Sequence, residues 1–263
     1  MEHGGTAEGP ARRQPPPDVV GPLEPRDRTA AAAVLAAALA EDPGYSHLFP
    51  VRARRERELR EVYRMTLADG MRHGRVLVTK LGDEVTGVLA LYPPGTYPMS
   101  AGRWLRQGLR LARIALFTRE HSGGIIRFGE LTSQGVPCDA WYVEAFGVRP
   151  DLQRAGRGSL LLQRFLDDVD RAGVPSYLET TKHDNVGYYH SRGYTDAHEP
   201  VPLTPEGPFI YPMTRPARTA GAAGDAGTAG DAGAGGDAGT DAVADARTVP
   251  HAAPDTVEDD PAA

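Results

Sequence analysis

The stretch Trp141–Leu162, WYVEAFGVRPDLQRAGRGSLLL, constrains this chain more than any other. Its opening, Trp141–Val148, is rich in aromatic and β-branched residues and reads as a buried strand. Arg149-Pro150-Asp151 ends the strand, because proline lacks the ladder N–H and restricts the residue before it. Gln153-Arg154-Ala155-Gly156-Arg157-Gly158-Ser159 follows, and then Leu162, Phe165, Leu166 and Val169 recur at helical spacing. A strand, a glycine-bearing loop and a helix N-terminus aim several backbone N–H groups at one place, and the helix dipole adds partial positive charge there. Glycine lets a phosphate approach the backbone where a Cβ would obstruct it. The alternative is a tight turn ahead of an ordinary helix.

The loop departs from two better-known phosphate loops. A dinucleotide fingerprint wants glycine at 161, where leucine stands, and a P-loop wants lysine between Gly158 and Ser159. Gln-x-x-Gly-x-Gly after a Val-x-Pro strand end resembles instead the pyrophosphate loop of the GCN5-related N-acetyltransferases, the GNAT family. A second motif, Leu178-Glu179-Thr180, Asn185-Val186, Tyr189 and Gly193-Tyr194, resembles the C-terminal pattern of the same family in the right order. The likeness covers about residues 23–216. Arg171–Thr180, Gly147–Gln153, Pro205–Pro208 and Met213–Arg215 look most like the puromycin N-acetyltransferase group. Arg154-Ala155 stands where Gly-Lys or Gly-Arg is usual.

Outside the motifs, composition divides the chain. Residues 1–22 carry Gly4-Gly5 and Pro15-Pro16-Pro17 with little apolar content. From Ala217 onward the chain is Ala, Gly, Asp and Thr, with Gly-Asp-Ala-Gly at 224–227, 230–233 and 236–239. Neither end has an apolar face whose burial would offset chain entropy, so both are expected to be disordered around one domain at 23–216. Residues 217–263 hold nine Asp/Glu and two Arg, which leaves 1–216 at +1 against −6 for the whole. A nearly neutral domain argues against a general nucleic-acid binder. The single Cys138 excludes an internal disulfide and Cys-cluster metal sites, and suits a reducing cytoplasm. No apolar run approaches ~20 residues and no secretory pattern opens the sequence, so neither membrane spanning nor export is expected. The histidines lack i,i+4 pairing, so no metal is expected; His47, His183 and His190 read as surface or substrate-pocket residues.

The expected elements run in order. Thr29–Glu41 is a helix stopped by Asp42-Pro43-Gly44, and Tyr45–Pro50 is an aromatic loop. Residues 51–73 form a helix burying Leu59, Val62, Tyr63 and Leu67, with Arg and Glu on solvated faces. Arg75–Leu81 and Val85–Tyr92 form a hairpin. Trp104–Phe117 is helical, with Arg103, Arg106, Arg110 and Arg113 along one side facing water, an acidic substrate or a CoA 3′-phosphate. Ser176–Thr180 is a strand, Asn185 caps a short helix ended by Gly193, and 208–214 is a closing strand. The sum is an α/β domain: a GNAT-like mixed, mostly antiparallel central sheet flanked by helices on both faces.

The resemblance implies acetyl transfer from acetyl-CoA to a primary amine. A free alkylamine has a pKa near ~10, so something must take its proton before it attacks. Glu144, expected on one strand face with Tyr142 and Phe146, is the candidate base, and Glu179 is its competitor. Tyr189 matches the family's acid for the departing thiolate; Tyr188 reads as core. Phe146, Gly147 and Val148 would pair with pantetheine amides, the loop Gln153–Ser159 would bind the pyrophosphate, and Asn185 is either a cofactor contact or only the cap. The acceptor reads as a small molecule such as an antibiotic or metabolite. A protein N-terminus or lysine, or a non-catalytic acyl-CoA sensor, are the alternatives. Monomer and homodimer are both compatible.

Overall fold

The computed structural model describes residues 19–108 and 135–218, together with residues 112, 129 and 132. Among the described residues eight strands form a sheet in the order β1-β2-β3-β4-β5-β8-β6, with β7 paired to β8. The strands are β1 (Val19–Pro22), β2 (Arg75–Leu81), β3 (Glu84–Tyr92), β4 (Trp141–Val148), β5 (Ser176–Thr180), β6 (Thr195–Asp196), β7 (Val201–Pro202) and β8 (Phe209–Arg215). Among the described residues only β4 and β5 pair in parallel. The helices are α1 (Arg28–Leu39), α2 (Pro43–Leu48), α3 (Arg52–His73), α4 (Ala101–Arg106), α5 (Arg157–Ala172) and α6 (Asp184–His190).

Period-two alternation sorts the core into two layers. Val76, Val78, Val88 and Ala90 face Leu35, Leu59, Tyr63 and Leu67 of α1 and α3. Leu77, Leu89 and Leu91 face Leu161, Leu162 and Phe165 of α5. β3 is covered on both sides, which is why VTGVLALY reads as a continuous apolar run rather than an alternating one. α5 begins at Gly156, whose φ of 83° is left-handed, and stops at Gly173, also left-handed.

Three expectations need correction. Residues 19–22, placed in the N-terminal tail, form β1 on the edge of β2, because the hairpin leaves that edge of β2 open for pairing. The remaining tail residues, 1–18 and 219–263, lie outside the described residues. Tyr45–Leu48, read as loop, belongs to α2, since Asp42 caps it by accepting from Gly44 N (2.9 Å) and Tyr45 N (3.4 Å) and Pro43 occupies its first turn.

The third concerns the polar faces of α3. Arg55 is 6% exposed and donates to the Phe49 carbonyl (2.7 Å) and the Ala40 carbonyl (2.8 Å), satisfying acceptors left over at the ends of α1 and α2. Asp69 is 3% exposed and bonds Tyr92 Oη (2.8 Å) and the Arg103 guanidinium. Arg103 therefore leaves the expected solvent-facing arginine stripe for an internal pair. Arg106 stays exposed, while Arg110 and Arg113 lie outside the described residues.

Candidate active site

β4 and β5 pair only through Trp141↔Ser176, Tyr142↔Tyr177 and Val143↔Leu178, then part. Just beyond that point β4 carries a bulge: Leu91 pairs with Val143 and Ala90 with Ala145, so Glu144 is the extra residue. Simple alternation would put Glu144 and Phe146 on one face. The bulge reverses this, because Ala145 packs with α1 and α3 whereas Phe146 packs against α5. Glu144 stays on the face of Tyr142, opposite to Phe146. The splayed edge of β4 thus opens into a cavity of about 110 Å³ lined by Glu144, Phe146, Glu179, Asn185 and Tyr189 among others.

The two glutamates sit in a tyrosine network. Tyr142 donates to Glu179 Oε2 (3.3 Å) and Tyr177 to Glu179 Oε1 (3.1 Å). Glu144 is hydrogen-bonded to Tyr97 and also to Tyr142, so one phenol touches both carboxyls. Burial pushes the Glu144 carboxyl up to about 7; the two tyrosine bonds oppose this and the charge of Asp69 adds to it. Burial pushes Glu179 up to about 8, partly offset by Tyr177 and reinforced by the charge of Glu144. Two carboxyls this close cannot both ionise cheaply, so around neutral pH they hold a proton between them.

Asp42 faces the same cavity. Its Oδ1 is taken by the α2 N-terminus and by the Thr181 hydroxyl. Burial raises its pKa despite those bonds and the nearby Lys182. Tyr189 is 6% exposed, stacks edge-on with Tyr194 at 5.8 Å, and its hydroxyl has no hydrogen-bond partner among the described residues. Burial raises its pKa as well. Tyr188 is half-buried beneath the Arg192 guanidinium, 5.2 Å from its ring centre.

Asn185 does not cap α6. The cap position is His183, and Asn185 Nδ2 reaches Thr180 Oγ1 at 3.4 Å, tying the helix to the end of β5.

The loop after β4 is held by Gln153, whose Nε2 donates to the Val148 carbonyl (3.0 Å). Arg154 (φ 62°) and Gly156 (φ 83°) both take left-handed backbone. α5 has no side-chain cap, and the N–H groups of Arg154, Ala155, Gly156, Gly158 and Ser159 have no acceptor among the described residues. Such a run of nitrogens at a helix N-terminus is an anion-binding arrangement. A Cβ on Gly158 would come within 3.2 Å of Phe146 Cζ, so glycine keeps the helix start close to the strand. A side chain on Gly147 would collide with Ala38 of α1. Arg157 is half-buried, and Ser159 Oγ accepts from Arg192 (2.8 Å). His190 pairs with Asp196 at 3.0 Å and His47 with Thr204 at 3.2 Å, both on exposed surface.

The structure thus brings Glu144, Glu179, Phe146, Asn185 and Tyr189 to one opening. Sequence reading did not find Asp42, Tyr97 or the bridging role of Tyr142. One signal was present: Tyr142-Val143-Glu144 and Tyr177-Leu178-Glu179 are twin Tyr-x-Glu triplets on strands that pair in register. Among the described residues no helix is long and apolar enough to cross a membrane.

A model described as the acetyltransferase (GNAT) family matches residues 44–194. Among solved structures, a Corynebacterium glutamicum protein described as histone acetyltransferase HPA2 and related acetyltransferase is 18% identical. That match covers 77% of this chain and 97% of that one, at a TM-score of 0.59. The Escherichia coli ribosomal-protein-S18-alanine N-acetyltransferase is 18% identical over 78% of this chain and 97% of its own, at 0.46. The Thermoplasma acidophilum PaiA N-acetyltransferase, solved with coenzyme A, is 12% identical over 76% and 99%, at 0.47. At 18% identity the likeness to the Corynebacterium protein is one of fold.

Proposed function

The chain belongs to the GNAT family of acetyltransferases, and from that premise we propose that it moves an acetyl group from acetyl-CoA to a primary amine of a small molecule. The observation that carries this reading is the single opening between β4 and β5, where Glu144 and Tyr189 face one cavity beside the free nitrogens of the α5 N-terminus. Acetyl-CoA would lie along the unpaired edge of β4, its amides meeting the backbone of Phe146, Gly147 and Val148. Its pyrophosphate would take the N–H groups between Arg154 and Ser159.

Glu144 would then accept the proton of the incoming ammonium. A base near pH 7 is well matched to that task at neutral pH. The neutral nitrogen attacks the thioester carbonyl and forms the C–N bond. The tetrahedral intermediate collapses and the C–S bond breaks; Tyr189 supplies a proton to the departing thiolate and is restored by the second proton lost from the attacking nitrogen, releasing the amide and free CoA thiol. Its unpaired hydroxyl is the reason to assign Tyr189 that role. The cavity is small, and its walls of Glu and Tyr suit a small amine. The likeness of Arg171–Thr180 to the puromycin N-acetyltransferase group points the same way.

Thiol release from acetyl-CoA with a panel of small amines, N-terminal peptides and lysine peptides tests the proposal. Transfer only to peptides would overturn the small-molecule reading. No transfer by wild type, with tight acetyl-CoA binding, would make the protein a sensor instead.

A further inference from the structure

Three carboxyls face the cavity, from Asp42 on the N-terminus of α2, Glu144 on the β4 bulge and Glu179 at the end of β5. Among the described residues no lysine, arginine or histidine lines it. A monoamine acceptor leaves this arrangement poorly compensated. Once Glu144 takes the reacting proton, Glu179 keeps only its two tyrosine hydrogen bonds. Asp42 keeps only the α2 N-terminus, Thr181 and the nearby charge of Lys182, and none of the described lining residues offers a cation inside the cavity. The remaining walls are polar only through tyrosine, asparagine and threonine. Tyr189 is only 6% exposed, and its hydroxyl, with no hydrogen-bond partner among the described residues, independently marks the cavity as built around a ligand rather than closed upon itself.

Resting on the transfer reading above, we propose that the acceptor carries two amino groups, one reacting beside Glu144 and a second held as an ammonium by Glu179 and Asp42. The substrate class is therefore a short diamine or polyamine, and acceptors with a carboxylate near the amine are rejected. The second ammonium has a further effect. It pairs with Glu179 and favours the ionised form of that carboxyl, so binding a dication drives a proton off Glu179. A carboxylate-bearing acceptor does the opposite and meets like-charge repulsion.

The test measures kcat/KM for the full-length protein with short α,ω-diamines, n-alkylamines of matched length and the matching ω-amino acids. Diamines should exceed their monoamine counterparts by roughly tenfold to a hundredfold, the worth of one charge-assisted hydrogen bond. Glu179→Gln and Asp42→Asn should each shrink that ratio. Both substitutions keep the shape, and Asn retains the cap of α2. Calorimetry with the same diamines on the CoA-loaded protein, in two buffers of different ionisation heat, should show protons released on binding at neutral pH. If monoamines or ω-amino acids match the diamines, the dication inference is overturned while acetyl transfer stands. If diamines bind with proton release but no amine is acetylated, the transfer reading fails and the cavity assignment survives. If diamines neither react nor bind, the inference is overturned.

Discussion

Replacing Glu144 by glutamine should make the protein more stable and less active, and both effects should depend on pH. In the unfolded chain this carboxyl ionises near its ordinary 4.5; in the fold burial holds its proton to about 7. The folded state therefore binds more protons across that interval, so the Glu144 contribution is fully present below pH 4.5 and is lost as pH climbs toward 7. The interval is worth about 3–4 kcal/mol at ~1.4 kcal/mol per pH unit, an upper figure because the side chain is half-buried and opens onto the cavity. Glutamine cannot ionise, so Glu144→Gln should match wild type near pH 4. Near pH 9 it should melt higher, by roughly 5–10 °C at ~2–4 °C per kcal/mol for a domain of this size. With Glu144 uncharged, Glu179 also loses a neighbour that raises its pKa, and its own titration should move down from about 8. Differential scanning fluorimetry of both proteins from pH 4 to 9, beside thiol-release rates, reads all of this. Activity should fall roughly 10²–10⁴-fold, the usual worth of a positioned base. A melting difference that is flat with pH, or that grows toward acid, would refute the reasoning.

Tyr189→Phe should lower kcat about 10²-fold while leaving acetyl-CoA binding, followed by thermal shift, near wild type; equal loss of both would make the ring a packing element only. Gly156→Asp places a side chain at φ 83° and a negative charge where the pyrophosphate is assigned. A Cβ there meets open space, so its folding cost should stay near ~1–2 kcal/mol, and the affinity for acetyl-CoA should collapse. Retained affinity would remove the loop from the site. Arg103→Leu strands the buried Asp69 carboxylate and should cost about 3–5 kcal/mol by chemical denaturation, more than the same change at exposed Arg106.

Much of the architecture was legible because the hydrophobic period matched the element type. Val76-Leu77-Val78 and Val88-Leu89-Ala90-Leu91 alternate between two cores, and Leu162, Phe165, Leu166 and Val169 mark one face of α5. The loop glycines announced themselves because left-handed backbone and close approach demand that residue. Arg55, Asp69 and Arg103 misled for the opposite reason. A charged side chain on an amphipathic helix reads as solvated until the carbonyl or carboxylate that pairs with it, far away in the chain, is known.

By itself the sequence determined the strand–loop–helix and the order of elements, which depend on short-range spacing, and it singled out Glu144, Glu179 and Tyr189 as candidates. Only the tertiary structure decided how they meet. The bulge at Glu144 turns Phe146 to the opposite face, the parting of β4 from β5 opens the cavity, and α2 brings Asp42 beside glutamates more than 100 positions away. None of these follows from local propensity, because each depends on which strand lies alongside and on how many residues separate two paired positions.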